Sequence, residues 1–446
     1  MKRTIAALAP ILIVSVFGLR ARGDDYSLAV IHRTRIEWPR YLPGELIVQF
    51  RSGADDRDAE RAIREVGGAG ARRSAYGPRY LVTMDAGLTV DDALTRLGSM
   101  PEVEYAEANG VLHTMQSRVG FFTPNDPRYS LQWNMRLLNA ERVWGIQKGD
   151  PSVGVAVIDT GIAFEDFGRF RKSPDFTGTT FLTGFNVFTR DSHANDDNWH
   201  GTHVASTIAE ATDNGIAVAG LAFQCALMPV KVLNSAGSGG FFGVAEGIDY
   251  VTNFRQGGTN PVKVINLSLG GDISSTAVSQ AIDRAVAAGI TVVAAAGNDG
   301  VGTITFPAAL PNVIAVGAVD GRKERTSYSN FGPELDLMAP GGDLDRDDDR
   351  DGQPDGVVQL TLHPSLAEAG RFDTFVLVFA DGTSQATPHV AASAALLYRQ
   401  GITKPDAIKA SLEGTAEDLG APGRDDRYGN GLVRPAEALK GLGLNK

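Results

Sequence analysis

The chain has 446 residues, 43% of them hydrophobic and 21% charged, an ordinary globular composition with room for two or three domains and a large buried core. Its net charge of -11 leaves no basic surplus, which argues against nucleic acid as a partner. The single cysteine, Cys225, excludes an intramolecular disulfide; set in an apolar run, it reads as an inert core residue.

The N-terminus reads as a targeting segment. "MKRT" is positive and "IAALAPILIVSVFGL" is an apolar run of signal-peptide length, short for a membrane span. Residues 1–23 are assigned as a bacterial-type signal peptide, with an uncleaved membrane anchor as the alternative. No cysteine follows the run, so a lipid-modified anchor is not expected. A secreted chain without disulfides needs another cross-link, and bound calcium is one candidate. Residues 24–40 are mixed and charged without a period and read as a linker.

A compact unit follows over residues 41–115. "GELIVQF" (44–50) alternates as a strand does, and "DRDAERAIREVGG" (56–68) has helical spacing and a glycine stop. "RYLVTMD" (79–85) is a strand, and "TVDDALTRLGSM" (89–100) is a helix with Thr89 as its cap and Asp92 in the capping-box position. "VEYAEAN" (103–109) closes a β-α-β-α-β order, which predicts a small α+β sandwich of the ferredoxin-like kind. Nothing in it looks catalytic.

"QSRVGFFTPNDPRYS" (116–130) is polar and turn-rich, and a second domain is predicted from 116 to 446. "SVGVAVID" (152–159), "ALMPVKVL" (226–233), "VKVINLSL" (262–269), "ITVVAAAG" (290–297) and "NVIAVGAV" (312–319) are near-continuous apolar runs, as strands buried on both faces are. Helical segments separate them. The expected fold is α/β: a doubly wound parallel sheet with helices on both faces.

In such sheets, reactive groups gather at the carboxyl ends of the strands. Those ends hold Asp159 in "VIDTG" and Asn298 in "AAAGND". "NWHGTHVAS" (198–206) adds His200 and His203, and "GTSQATPHVAASAALL" (382–397) sets Ser384 at the start of a long apolar helix. An Asp, a His and a Ser are what nucleophilic hydrolysis requires: the serine needs a base, and the base needs a carboxylate to fix its tautomer. The amide of Asn298 could donate to an oxyanion. Which histidine serves is open on these grounds. Two histidines three apart also suit a metal, but the zinc-protease pattern H-E-x-x-H is absent.

The stretches "VAVIDTGI", "HGTHVAS", "NLSLGG", "AAAGN" and "GTSQATPHVA", in that order, resemble the subtilisin-family (subtilase, peptidase S8) serine proteases, in the thermitase/fervidolysin-like branch. The unit from "PGELIVQF" to "VEYAEAN" resembles the family's inhibitory propeptide. The resemblance implies a secreted serine endopeptidase made as a zymogen, with Asp159, His200 and Ser384 as triad, Asn298 in the oxyanion hole and His203 structural. It implies polypeptide substrates, the propeptide as an intramolecular inhibitor, and a monomer. Two cleft rims are implied, Gly237, Ser238 and Gly239 on one side and Ser268, Leu269 and Gly270 on the other. Their main-chain pairing with an extended peptide gives broad specificity. Ala296 and Gly297 would floor the primary pocket, Asp299 would stand at its mouth, and Phe241 or Phe242 would line a remoter one. The propeptide tail "GVLHTMQSRVG" should lie in the cleft and be cut between 112 and 120.

Two calcium sites are expected. "DLDRDDDRDGQPDG", within an acidic insertion at 343–358, places Asp347, Asp349 and Asp351 at alternate positions before Gly352, as a D-x-D-x-D-G loop does, with Asp355 at its ninth position. Val358 stands where an EF-hand has its glutamate, so the loop departs from that pattern; a solvated acidic surface is the alternative. By resemblance, "ATDNGIAVAG" (211–220) looks like the family's calcium loop, with Asn214 as side-chain ligand and Asp126 in "PNDP" as another. The remaining carboxylate, expected within 164–180, has no assignment from the sequence.

Three rival readings are weighed. An α/β-hydrolase wants Ser, acid and His in that order, and only His389 follows Ser384, five residues on in the same helix. Sedolisins carry Glu in place of His200 and Asp in place of Asn298. A catalytically inactive calcium-dependent binding protein would share the fold but not need every catalytic position filled.

Overall fold

A computed structural model describes residues 30–31, 41–51, 54–84, 89–114, 118–122, 128–348 and 350–440. The signal segment, most of the linker, Asp126 and Asp349 lie outside the described residues. One two-residue strand, Val30–Ile31, falls inside the stretch read as linker.

The front unit has one strand more than the sequence reading gave it. Its order is Tyr41–Phe50, the helix Asp56–Glu65, Gly68–Arg73, Arg79–Met84, the helix Val90–Gly98 and Val103–Thr114. The extra strand, "GAGARR", carries neither apolar alternation nor β-branched residues, and it holds the sheet edge by backbone pairing with Arg79–Met84. With it the arrangement is β-α-β-β-α-β, and the antiparallel strand order is the fourth, first, third and second in sequence. Both helices are capped at their N-termini, the second by the Thr89 that its sequence suggests. Asp55 accepts from the amides of Arg57 and Asp58, and Thr89 accepts from the amide of Asp92.

The second unit is built on seven parallel strands. In spatial order they are Leu337–Pro340, Ile314–Val319, Thr291–Ala295, Val262–Leu267, Gly154–Asp159, Ala226–Lys231 and Phe185–Asn186. All five apolar runs read as strands are in it, and almost every residue in them is buried. The chain leaves Gly154–Asp159 in one direction for Ala226–Lys231 and later returns to its other side through Val262–Leu267. Asp159 therefore sits at the end of the strand where the order reverses, which is where open sheets leave a crevice. Helices pack against the sheet in two layers, Phe241–Asn253 with Thr276–Ala287, and His200–Ala209 with Thr383–Gln400.

A hairpin, Val357–Leu362 and Phe375–Asp381, leads into the Ser384 helix. Its edge takes up Arg118–Phe122, which in turn pairs with Val30–Ile31.

Candidate active site

The carboxyl end of Gly154–Asp159 delivers a fully buried carboxylate. Asp159 Oδ1 lies 2.8 Å from His200 Nδ1 and also accepts the Thr160 amide at 2.7 Å. His200 opens its helix directly after Trp199, which is held at φ +115°, a conformation a bulky residue adopts only under constraint. That constraint is visible: Thr361 Oγ1 donates to the Trp199 carbonyl at 2.6 Å.

Asp196 joins the strand end to this helix. It accepts from Thr160 Oγ1 at 2.9 Å, from Thr202 Oγ1 at 2.6 Å, and from the amides of Asn198, Trp199 and Thr202. The contact is so close that a Cβ on Gly201 would lie 2.2 Å from the Gly161 carbonyl, so only glycine serves there. Lys231, at the end of the neighbouring strand, donates to the Thr160 carbonyl at 2.7 Å and to Asp197 at 2.6 Å. Asp196 and Lys231 were not singled out in the sequence, although "NDDNWHGTH" keeps the first within four residues of His200.

The two histidines are separated by their partners. His203 Nε2 donates to the carbonyls of Val357 at 3.1 Å and Val378 at 3.3 Å, so it pins the hairpin. Burial, with His200 nearby, drives its pKa down to about 3. His389 is also spent on structure, with Nδ1 against the Gln385 carbonyl at 2.9 Å and Nε2 against the Asn134 amide at 2.9 Å.

Ser384 is the second residue of the helix Thr383–Gln400 and is fully buried. Its hydroxyl donates to the Ser268 carbonyl at 3.2 Å, and His200 Nε2 carries no hydrogen bond among the described residues. Asn298 Oδ1 accepts from both the amide and the hydroxyl of Thr383, each at 2.9 Å. This fixes which end of the carboxamide is the acceptor and leaves the amide nitrogen as the donor end. The Ala296–Gly297 turn is held from outside by Asn330, which accepts from the amides of Asp299 and Val301 and donates its own amide to Gly297.

Both rims are paired, and their partner is the chain itself. The strand Val103–Thr114 runs on past the front unit and between them, antiparallel to each. Ser238, Gly239 and Gly240 face His113, Leu112 and Val111 on one side, and Leu269 and Gly270 face Thr114 and His113 on the other. Gly237 sits in the turn before the first rim, at φ +71°. Phe241 is buried and packs so tightly on Gly110 that a Cβ there would lie 2.0 Å from its ring. It lines an apolar cavity with Ile273, Val278, Phe306, Pro307 and Leu310. Phe242 instead faces Arg72 and Arg79 of the front unit, whose guanidinium carbons lie 5.2 and 5.8 Å from its ring centre.

Polar contacts fasten the front unit to the helices beneath. Glu107 accepts from the Ser275 hydroxyl at 2.9 Å and from the amides of Thr276 and Ala277, at the start of Thr276–Ala287. Arg79 and Arg284 both bind the buried Asp249, at 2.9 and 2.7 Å.

The comparisons agree with this geometry. Residues 150–431 match the subtilase family, Peptidase S8, and residues 32–109 match the fervidolysin N-terminal prodomain. The chain belongs to the subtilase family. It is 33% identical to a thermophilic serine proteinase of Bacillus sp. (strain AK1) over 87% of this chain and 86% of that one. It is 34% identical to subtilisin E of Bacillus subtilis (strain 168) over 90% of each. A solved protease structure from Pseudoalteromonas arctica PAMC 21717 superposes with a TM-score of 0.62 at 31% identity, covering 72% of this chain and 99% of that chain. The protein is thus a subtilisin-like serine protease that carries its own prodomain, and the strand between the two expected rims continues directly from the last residue of the prodomain match.

The residues expected to bind calcium fall in two places. In the acidic insertion, Asp347 accepts from the amides of Asp351 and Gly352, and Asp355 accepts from that of Asp348. Arg346 and Arg322 pair with Asp348. Among the described residues no three His, Cys, Asp or Glu side chains gather as a metal site. In the 211–220 loop, Asn214 Nδ2 donates to Asp175 Oδ1 at 2.7 Å, and Asp175 Oδ2 accepts from Val218 at 3.2 Å. Asp175 lies in the 164–180 segment where a carboxylate was expected and not assigned. It is fully buried beside a second buried carboxylate, Glu210, whose pKa is pushed well up by burial and by Asp175.

Proposed function

We propose that this protein is a secreted serine endopeptidase made as a zymogen, which hydrolyses extended polypeptides with broad specificity. Ser384 is the nucleophile, His200 takes its proton, Asp159 holds the imidazole in the required tautomer, and Asn298 donates to the oxyanion. For attack, the Ser384 hydroxyl turns from the Ser268 carbonyl to His200 Nε2. The observation that carries this reading is the tail strand, held by backbone pairing on both sides and ending at Thr114, one step before the residue that would face Ser268. Main-chain pairing accepts many sequences, Ala296 and Gly297 leave the primary pocket roomy, and Phe241 supplies an apolar surface farther back.

The same pairing supports a self-processing cut just beyond Thr114. The chain is paired up to Thr114, against Leu269, and again from Arg118, against Asp381, three residues before Ser384. The cut therefore belongs between Thr114 and Arg118, within the 112–120 window. The test is to sequence the mature N-terminus and to label the protein with a serine-directed phosphonate. The wild type should begin at residue 115, 116, 117 or 118 and take the label, and Ser384→Ala should remain one unlabelled chain. An uncut, unlabelled wild type would favour the inactive binding protein.

The apolar segment before the prodomain supports secretion. Among the described residues no helix is long and apolar enough to cross a membrane. Recovery of the mature chain from medium, against retention with the cells, separates signal peptide from anchor. Calcium is proposed at Asp175 and Asn214, which meet through Asn214 Nδ2 and Asp175 Oδ1 and would offer the ion their side-chain oxygens, in a loop that turns through positive φ at Asp213, Gly215 and Ala217. The acidic insertion is proposed as a second, outer site on the spacing of its aspartates; changing Asp347, Asp349 and Asp351 to Asn should then remove one bound ion.

A further inference from the structure

Glu210 ends the helix that His200 begins, and it is fully buried. Neither of its carboxyl oxygens has a hydrogen-bond partner among the described residues. It abuts Asp175, and the amide of the next residue, Ala211, donates to the Asp175 carbonyl at 2.9 Å. The protein therefore sets two carboxylates side by side in its interior, and the polar groups nearest Glu210, the Ser206 hydroxyl and the Leu360 amide, make no full hydrogen bond to it. An unpaired buried carboxylate is among the costliest groups a fold can carry, and like charges in contact add to that cost. The triad does not use Glu210, and the helix does not need it as a cap.

We propose that Glu210 is a further ligand of the cation held by Asp175 and Asn214. This rests on the calcium reading of that loop, to which it adds a residue. A divalent ion meets both unpaired oxygens at once and neutralises the pair. The donors are all hard oxygen atoms, and carbonyls of the 211–220 loop are close enough in the chain to complete the six to eight that calcium takes. Affinity at such sites follows the number of charged ligands, so an added carboxylate makes this site tighter than Asp175 and Asn214 alone would.

The experiment uses the full-length chain with Ser384→Ala, which cannot digest itself, freed of metal with EDTA and titrated with calcium chloride in a calorimeter. Asp175→Asn should abolish the tightest ion; if it does not, the calcium reading of the loop fails, independently of Glu210. With that ion assigned, Glu210→Gln should weaken it by about tenfold or more and shrink the calcium-induced rise in Tm. Europium(III) in the same site should show one additional bound water in its luminescence lifetime. An affinity within twofold of the parent and an unchanged water count would overturn the proposal, leaving Glu210 a protonated core residue. Crystals of the parent grown with calcium chloride give the answer even if the variant does not fold: a Glu210 oxygen should lie about 2.3–2.6 Å from the ion, and one beyond about 4 Å refutes the proposal.

Discussion

Ser268 and Ser384 exchange two hydrogen bonds. The Ser268 hydroxyl donates to the Ser384 carbonyl at 2.9 Å, and the Ser384 hydroxyl donates to the Ser268 carbonyl at 3.2 Å. The first bond answers Pro388, which stands four residues on and has no N–H to give that carbonyl. The segment at Ser268 is thereby tied to the first turn of the helix that carries Ser384. Ser268→Ala should leave a buried carbonyl unsatisfied and destabilise the protein by about 1–3 kcal/mol, read by urea unfolding in a Ser384→Ala background.

Substitutions at the two histidines should part company. His200→Ala should nearly abolish peptide hydrolysis in a protein of wild-type Tm. His203→Ala should lower Tm through the lost bonds to Val357 and Val378 while the folded fraction still turns over. Asn298→Ala should lower kcat by roughly a hundred- to a thousandfold with little change in KM. The reverse pattern at the histidines, or a change carried by KM at Asn298, would contradict the assignment.

Acid should destabilise the fold through histidines that stay neutral inside it. Burial holds His203 at about 3 and His389 at about 4, below the unfolded value near 6.5. Between those limits the unfolded chain binds more protons, so stability is fully present above about pH 6.5 and falls as pH drops toward 4 and then 3. For His389 the shift corresponds to roughly 3 kcal/mol. Tm of the Ser384→Ala protein between pH 8 and 4 should follow this slope, and His389→Gln should flatten it. An unchanged slope would mean other groups govern the acid limb.

Arg79 reaches from the prodomain to the buried Asp249, which Arg284 of the protease also binds in bidentate fashion. Removing Arg79 costs the prodomain a desolvated ion pair but leaves Asp249 a partner. Truncating one side of such a pair costs on the order of 2–5 kcal/mol. Arg79→Ala should therefore shorten the interval between self-cleavage and appearance of activity by tenfold or more. An equal interval would show that the tail strand alone holds the inhibited complex.

Much of this architecture is legible in the chain because burial writes itself in apolar runs. The five strands read from the sequence are the five longest of the central sheet, and one of them ends in Asp159. What escaped reading was held by backbone or by distant polar partners. Gly68–Arg73 has no side-chain pattern and exists because Arg79–Met84 offers it an edge. Phe185–Asn186 and Leu337–Pro340 are too short to show a period. Asp196 and Asn330 work through backbone amides, which any loop Asp or Asn might do, and Asp175 is recognisable only once folding sets it against Asn214 and Glu210. His200 and His203 could not be told apart by spacing; what differs is that one meets a carboxylate and the other two carbonyls.

The helix Thr276–Ala287 begins under a carboxylate it does not own. Glu107 takes the amides of Thr276 and Ala277, and Ser275 covers only Val278. On the zymogen reading, removal of the prodomain would pass those amides to water, and the chain that remained would no longer be the one that folded. Such a molecule would last by unfolding slowly, since it would have discarded part of the instructions for folding again. Its working life would then be a single descent, timed by a barrier, and each molecule lost to heat or dilution would be replaced only by synthesis of a new precursor.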